Sequence, residues 1–244
     1  MTSFLISELY DKLTFQGEGQ SLGQLCSFVR FFGCFAHCRW CDSAFSWRVN
    51  DNYPHDFAPI YDSKLESRKM SIEEIVNHFV DMNPPMLVIT GGEPMLQAKK
   101  LPEMITALMN DISALTRIEI ETAGTLWNDE VADFPFVWFN VSPKLENSGN
   151  PKELRYKPDV LDKFNKSNAA IFKFVVCDDN DLEEVQQIVD EVGIPNHKVF
   201  IMPECISENV QRERLQYLAE KVIEKRWNLT TRLHILLWGA KRGV

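Results

Sequence analysis

The chain is 244 residues long, 45% hydrophobic and 25% charged, a balance that excludes disordered, collagen-like and disulfide-miniprotein classes. That length allows one large domain or two small ones, each able to bury a core. With 35 acidic against 26 basic side chains the formal charge is -9, so a chain-wide basic footprint for nucleic acid is absent, while a local basic pocket for an anion stays open.

At the N-terminus, Met1 to Leu13 interleaves Ser7, Glu8, Asp11 and Lys12 with apolar residues and holds no signal-peptide core; no run of about 18 apolar residues occurs anywhere. A reducing cytoplasm is the expected compartment, without a membrane partner, and thiols there serve metals or catalysis more often than bridges. Gln24 to Phe31 is the first expected strand. It runs into GCFAHCRWC, where Cys34, Cys38 and Cys41 stand as C-x3-C-x2-C. Three thiolates on one loop leave one position of a tetrahedral or cubane centre open, whereas structural zinc closes its shell with a fourth protein ligand. An open iron is where a substrate or cofactor coordinates. Three buried thiols, or zinc completed by His37 or a distant cysteine, form the plainer alternative. Cys26, Cys177 and Cys205 sit in apolar contexts and read as core thiols.

Ser43 to Lys69 carries Asn50, Asp51, Asn52, Pro54 and Pro59 without an apolar period, and reads as a long loop or insertion able to cover a site. Ser71 and Glu74 have the spacing of a capping box, ahead of a helical stripe of Ile72, Ile75, Val76, Phe79 and Val80. Met86 to Thr90 is a strand that ends in Thr90-Gly91-Gly92-Glu93-Pro94. A glycine pair at the C-terminal end of a strand stands where ligands bind in parallel α/β folds, and Glu93 can accept from an ammonium group; alone, the segment also suits an ordinary turn. Further strands are expected at Arg117 to Thr122, Phe136 to Ser142, Ile171 to Val176, Lys198 to Met202 and Arg232 to Trp238. Between the later ones lie the helical stripes Leu182, Val185, Val189, Val192 and Leu215, Leu218, Ala219, Val222, Ile223. This alternation argues for an α/β class with a parallel sheet, as one domain over 1–244 with an insertion around 43–69.

The cysteine spacing, the glycine-glutamate strand end and an aromatic Trp40 just before the third cysteine together resemble the radical S-adenosylmethionine (SAM) enzymes. Gln16 to Gly19, Phe28 to Arg30, Glu121-Thr122, Ser142-Pro143-Lys144, Phe172 to Val176, Met202 to Glu204 and the closing RLHILLWGAKRGV are similar, in that order, to the 7-carboxy-7-deazaguanine synthase family. The resemblance implies a partial (β/α) barrel and a [4Fe-4S] cluster held by Cys34, Cys38 and Cys41, with SAM on the fourth iron. It implies SAM contacts from Trp40, Asp42, Gly92, Glu93, Ser142, Pro143, Lys144 and Met202. Substrate contacts are implied for Gln16, Gly17, Glu18, Arg30, Thr90, His234 and the terminal carboxylate of Val244, and a Mg2+ contact for Ser43, where the family has threonine. The implied reaction contracts the ring of 6-carboxy-5,6,7,8-tetrahydropterin to 7-carboxy-7-deazaguanine with loss of ammonia, SAM being regenerated. A homodimer, a reductant such as flavodoxin and no direct nucleic-acid contact come with it.

Plainer readings stand beside these. Arg30 suits bidentate carboxylate binding but strand arginines are often surface cations, His234 suits a core histidine equally, Lys144 a solvated lysine, Gln16 to Gly19 a structural turn and Val244 a frayed end. Some members of the family separate the first two cysteines by a longer insertion, whereas this chain has x3, the commoner superfamily spacing, and carries its extra length after the third; ETAG also stands where ETNG is usual. Two rival functions share parts of it: a radical-generating activase that makes a glycyl radical on a partner protein, and a zinc-stabilised binding module without catalysis.

Overall fold

Parity along the strands divides this molecule into an apolar, helix-covered side and a polar, concave one. The computed structural model describes residues 2–50, 58–167 and 169–244; Asp51, Asn52 and Pro54 of the expected insertion lie outside the described residues. The strands are β1 (Ser3–Leu9), β2 (Thr14–Phe15), β3 (Leu25–Phe31), β4 (Arg68–Ser71), β5 (Met86–Gly91), β6 (Arg117–Thr122), β7 (Val137–Val141), β8 (Ala170–Val176), β9 (Val199–Pro203) and β10 (Asn228–Leu229). The helices are α1 (Ser63–Glu66), α2 (Ile72–Val80), α3 (Leu101–Asp111), α4 (Asp129–Ala132), α5 (Lys152–Arg155), α6 (Pro158–Lys166), α7 (Asp179–Val192), α8 (Glu208–Lys225) and α9 (Leu233–Trp238).

The sheet runs β10-β9-β8-β7-β6-β5-β3-β1-β4, with β2 paired to β3. From β3 to β10 every neighbour is parallel; β1 is antiparallel to both β3 and β4. Among the described residues β4 and β10 pair only on one side, so the sheet stays open as a partial barrel.

Val29, Phe31, Leu87, Ile89, Ile118, Ile120, Phe172 and Phe174 all belong to one buried core cluster on the helix side, where each side chain contributes roughly 1.5–3 kcal/mol of burial. Their alternates Arg30, Thr90, Glu121, Lys173 and Val175 point the other way and line a cavity. α2 starts at the expected capping box: Ser71 Oγ accepts from the Glu74 N–H and Glu74 reaches back to the Ser71 N–H. α7 uses the same device with Asp178 and Asp181, and ends on Gly193 in the left-handed region.

Three segments differ from the sequence reading. Arg232 to Trp238 is a helix preceded by Arg232, not a strand: Asn228–Leu229 already occupies the place beside β9, and a short apolar run fits either conformation until that ladder place is taken. In α9 only Ile235 is buried, while Leu236, Leu237 and Trp238 stay exposed. The second is the end of the expected insertion, where α1 and β4 form and β4 becomes the antiparallel edge beside β1. β1 itself lacked a clean alternation because a bulge between Ile6 and Glu8 shifts its phase.

Candidate active site

The Thr90 to Glu93 strand end and the cysteine loop are built as one piece. The Gly92 N–H donates to Phe31 O at 2.9 Å and the Glu93 N–H to Gly33 O at 2.8 Å, so β5 grips the residue just before Cys34. A Cβ on Gly92 would overlap the Gly33 carbonyl oxygen, and Gly91 holds a φ of 125° against the Phe31 backbone. Glycine is required at both places by backbone contact, whatever ligand binds there. Glu93 is buried, and its carboxylate accepts from Thr122 Oγ1 at 2.8 Å, the Ala123 N–H at 2.7 Å and the Met95 N–H at 3.0 Å. Burial nevertheless pushes its carboxyl above the ordinary value, a shift that a nearby ammonium group would reverse. Ala123, in the unusual ETAG, takes part through its backbone alone.

The cysteine loop has no secondary structure of its own and borrows support from the segment after β7. His37 N–H donates to Asn150 Oδ1 at 2.8 Å, Arg39 N–H to Ser148 O at 3.0 Å, and Trp40 Nε1 to Asn147 Oδ1 at 3.0 Å. Two donors address the sulfurs themselves: Asn150 Nδ2 lies 3.3 Å from Cys38 Sγ and Trp47 Nε1 3.3 Å from Cys41 Sγ. Burial pushes all three thiols up, Cys38 to about 11, so they are protonated at neutral pH until a metal displaces the protons. Among the described residues no three His, Cys, Asp or Glu side chains converge on a single ion. Three thiols facing one cavity with N–H donors at two of the sulfurs fit a multi-iron cluster, in which each cysteine serves a different iron.

The wall opposite is a chain of charge-assisted bonds. Glu18 pairs with Lys173 of β8 and, at 3.4 Å, with Arg232 Nε; Arg232 also donates to Asp42, beside Cys41, and to the Cys205 carbonyl at 2.5 Å. Burial alone would raise the Glu18 carboxyl, but Lys173, Arg232 and His234 outweigh it and hold it at about 2. Asp42 is lowered too, its desolvation overcome chiefly by Arg232. Burial lowers His234, which is therefore neutral at pH 7, with Gly17 seated against its ring. On β6, Glu121 accepts from Thr90 Oγ1 at 2.6 Å and from Gln16 Nε2 at 3.2 Å, while Gln16 also donates to the deeper Glu119 at 2.7 Å.

All of these surfaces bound one cavity of about 500 Å³. Every residue expected at the site lines it except Pro143, which is buried away from it. Lys144 folds back on Ser142, its Nζ 3.0 Å from Oγ and 5.7 Å from the Trp40 ring centroid. The Ser43 hydroxyl faces the cavity 3.8 Å from Cys41 Sγ. Arg30 is half-buried beside Glu8, 3.4 Å away, rather than a fully exposed surface cation. Phe45, Trp47 and Tyr61 bring the expected insertion into the wall. Of the expected core thiols, Cys26 packs with Met86 and Val88, Cys177 is half-buried, and Cys205 is buried but borders the cavity.

Glu121, Lys173, Arg232 and Asn150 were not picked out from the sequence as site residues. A signal existed for two of them, since Lys173 is a charge inside an otherwise apolar strand and Glu121 stands at the C-terminal end of a strand, where ligands bind in parallel α/β folds. For Arg232 and Asn150 none did, because their partners lie 190 and 112 residues away.

Residues 28–203 match the family model described as the radical SAM superfamily. The chain is 34% identical over 230 residues to the 7-carboxy-7-deazaguanine synthase of Pyrobaculum aerophilum, covering 93% of this chain and 92% of that protein. It is 31% identical over 255 residues to the protein of the same name from Bacillus subtilis, covering 95% of each. Its fold resembles the crystal structure of QueE from Escherichia coli, with a TM-score of 0.65 at 23% identity over 94% of this chain and 93% of that one.

Proposed function

Because this chain belongs to the radical SAM superfamily and, within it, to the 7-carboxy-7-deazaguanine synthase family, we propose specific roles in that reaction for the residues around its cavity. The enzyme contracts the ring of 6-carboxy-5,6,7,8-tetrahydropterin to 7-carboxy-7-deazaguanine with loss of ammonia, a step of deazapurine biosynthesis. The observation that carries the assignment is the meeting of the cysteine loop, the Gly92-Glu93 strand end and the Arg30-Thr90-Glu121 face on one cavity.

Cys34, Cys38 and Cys41 would hold the [4Fe-4S] cluster, which supplies the electron that cleaves SAM. Glu93 orients the amino group of SAM, with Gly92 allowing close approach; Trp40, Asp42, Ser142, Lys144 and Met202 form the rest of that side. Arg30 takes the substrate carboxylate as a guanidinium fork, while Gln16, Glu18, Glu121, Thr90 and the neutral His234 offer donors and acceptors to the pterin edge. Ser43 presents a hard oxygen for Mg2+, whose remaining positions substrate and water can fill. Among its side chains the cavity wall holds six cations, Arg30, Lys144, Lys173, Arg232, Lys241 and Arg242, against five carboxylates, Glu18, Asp42, Glu93, Glu121 and Glu204. A chain of charge -9 thus receives an anionic substrate in a locally balanced site. We read residues 1–244 as one unit that works as a homodimer with a flavodoxin-type reductant in the cytoplasm; among the described residues no helix is long and apolar enough to cross a membrane.

Anaerobic, reconstituted and reduced protein given SAM, Mg2+ and carboxytetrahydropterin should form the deazaguanine. SAM cleavage without that product would reject the synthase assignment. Cys38→Ala should lose SAM cleavage altogether, whereas Arg30→Ala should keep substrate-free cleavage and raise KM for the pterin; a Cys38→Ala variant that still cleaves SAM sinks the cluster assignment.

A further inference from the structure

Residues 240–244 follow α9 and line the cavity, with Val244 buried. Arg242 ties this stretch to the facing wall. Its Nη1 lies 2.8 Å from Glu66 Oε2, its Nε 3.2 Å from Glu8 Oε1, and its guanidinium carbon 3.6 Å from the centroid of the Phe45 ring. Phe45 and Glu66 both belong to the segment after the third cysteine, Glu66 closing α1 and Phe45 packing edge-on against Tyr61 at 6.2 Å.

Glu8 is in place because of the β1 bulge. Ile6 pairs with Phe31 and Glu8 with Arg30, so the residue between them is the extra one, and Glu8 turns to the cavity face that Arg30 occupies. Its other carboxylate oxygen is 3.4 Å from Arg30 Nε, and Arg30 in turn lies 5.7 Å from the Phe45 centroid. The two arginines therefore share one carboxylate and one aromatic ring. An isolated exposed ion pair contributes little, but here one guanidinium fork meets two carboxylates that are each less than a fifth exposed, and stacks on a ring face.

We propose that Arg242 is a positioning residue: docked on Glu66, Phe45 and Glu8, it holds residues 240–244 over the cavity beside Arg30, and the segment after the cysteines is the anchor it docks on. The proposal rests on the reading of the Arg30 side as the substrate side. It assigns a role to the length inserted after the third cysteine, and places that role at the carboxylate end of the substrate rather than at the cluster.

The test combines hydrogen exchange with kinetics on the full-length, cluster-loaded protein. In Arg242→Ala, amides of residues 239–244 should exchange on the order of tenfold faster than in the parent, reporting local opening. KM for carboxytetrahydropterin should rise by about tenfold, because misplaced contacts weaken substrate alignment. Arg242→Lys, which keeps the charge but loses the fork and the flat stacking surface, should fall between the two. Glu66→Gln removes one anchor at nearly constant volume: it should speed exchange in the same stretch and leave substrate-free SAM cleavage unchanged. Unchanged exchange in both Arg242→Ala and Glu66→Gln overturns the anchor, and faster exchange with an unchanged KM overturns its link to the substrate. A parent protein that forms no deazaguanine overturns the functional reading instead, while the exchange data still judge the anchor.

Discussion

Gly92 carries two demands that the TGGEP segment does not distinguish. One is ligand approach; the other is contact with the Gly33 carbonyl, which leaves no room for a methyl group. Because the obstacle is backbone and cannot rotate away, Gly92→Ala should cost about 3 kcal/mol, at the upper end of ordinary overpacking. Urea denaturation measures it, and a loss under about 1 kcal/mol would show that the cysteine loop moves aside freely. Glu93 is a second residue whose type is readable and whose surroundings are not. Its three donors come from positions 95, 122 and 123, and only the folded chain brings the last two to it.

At the scale of elements, the cysteine loop is the least self-sufficient part of the site, since the segment after β7 supplies its backbone partners. Asn150 serves both the His37 N–H and Cys38 Sγ, and is itself buried. Asn150→Ala should therefore weaken cluster retention about tenfold, in the range typical of partners behind a metal ligand. Iron and sulfide per chain after reconstitution at limiting iron would show this; full occupancy equal to the parent's would refute it. The parallel strands were legible from sequence as short apolar runs, since β5 and β8 are buried on both faces along almost their whole length, and α2 because it buries one face at period 3.6. α9 was not: its apolar run fits strand and helix alike, and competition with β10 for the edge of β9 decides the matter. β1 escaped for a related reason, because its bulge breaks the alternation that marks a strand.

The whole molecule leaves its sheet open and joins the two sides across the concave face with charge. Glu18, from the turn before β3, meets Lys173 of β8 and Arg232 of the C-terminal segment, which reaches Asp42 beside the cysteines. Removing the central carboxylate takes the ion-pair partner from buried Lys173 and leaves Arg232 with Asp42, so Glu18→Gln should destabilise the fold by about 3 kcal/mol at pH 7, as for other broken buried pairs. The pH dependence has a definite sign. The Glu18 carboxyl sits at about 2 in the folded chain against an ordinary 4.5, so its contribution is complete above 4.5 and is lost as pH falls toward 2. Stability measured down that range should drop less steeply in Glu18→Gln than in the parent. Parallel acid limbs in the two proteins would mean that the pair contributes nothing to folding.

Residue chemistry at short spacing was enough to identify the three cysteines, the glycine-glutamate strand end and the strand-helix rhythm, because each is set by neighbours within a few positions. Separation in sequence hid the rest. Lys173 meets Glu18 across 155 residues and Arg232 meets Asp42 across 190, and such pairs exist only once the sheet has curved to bring its ends together. The anchoring of residues 240–244 is of the same kind: Arg242 and Glu8 stand 234 positions apart, and only the folded chain makes them neighbours.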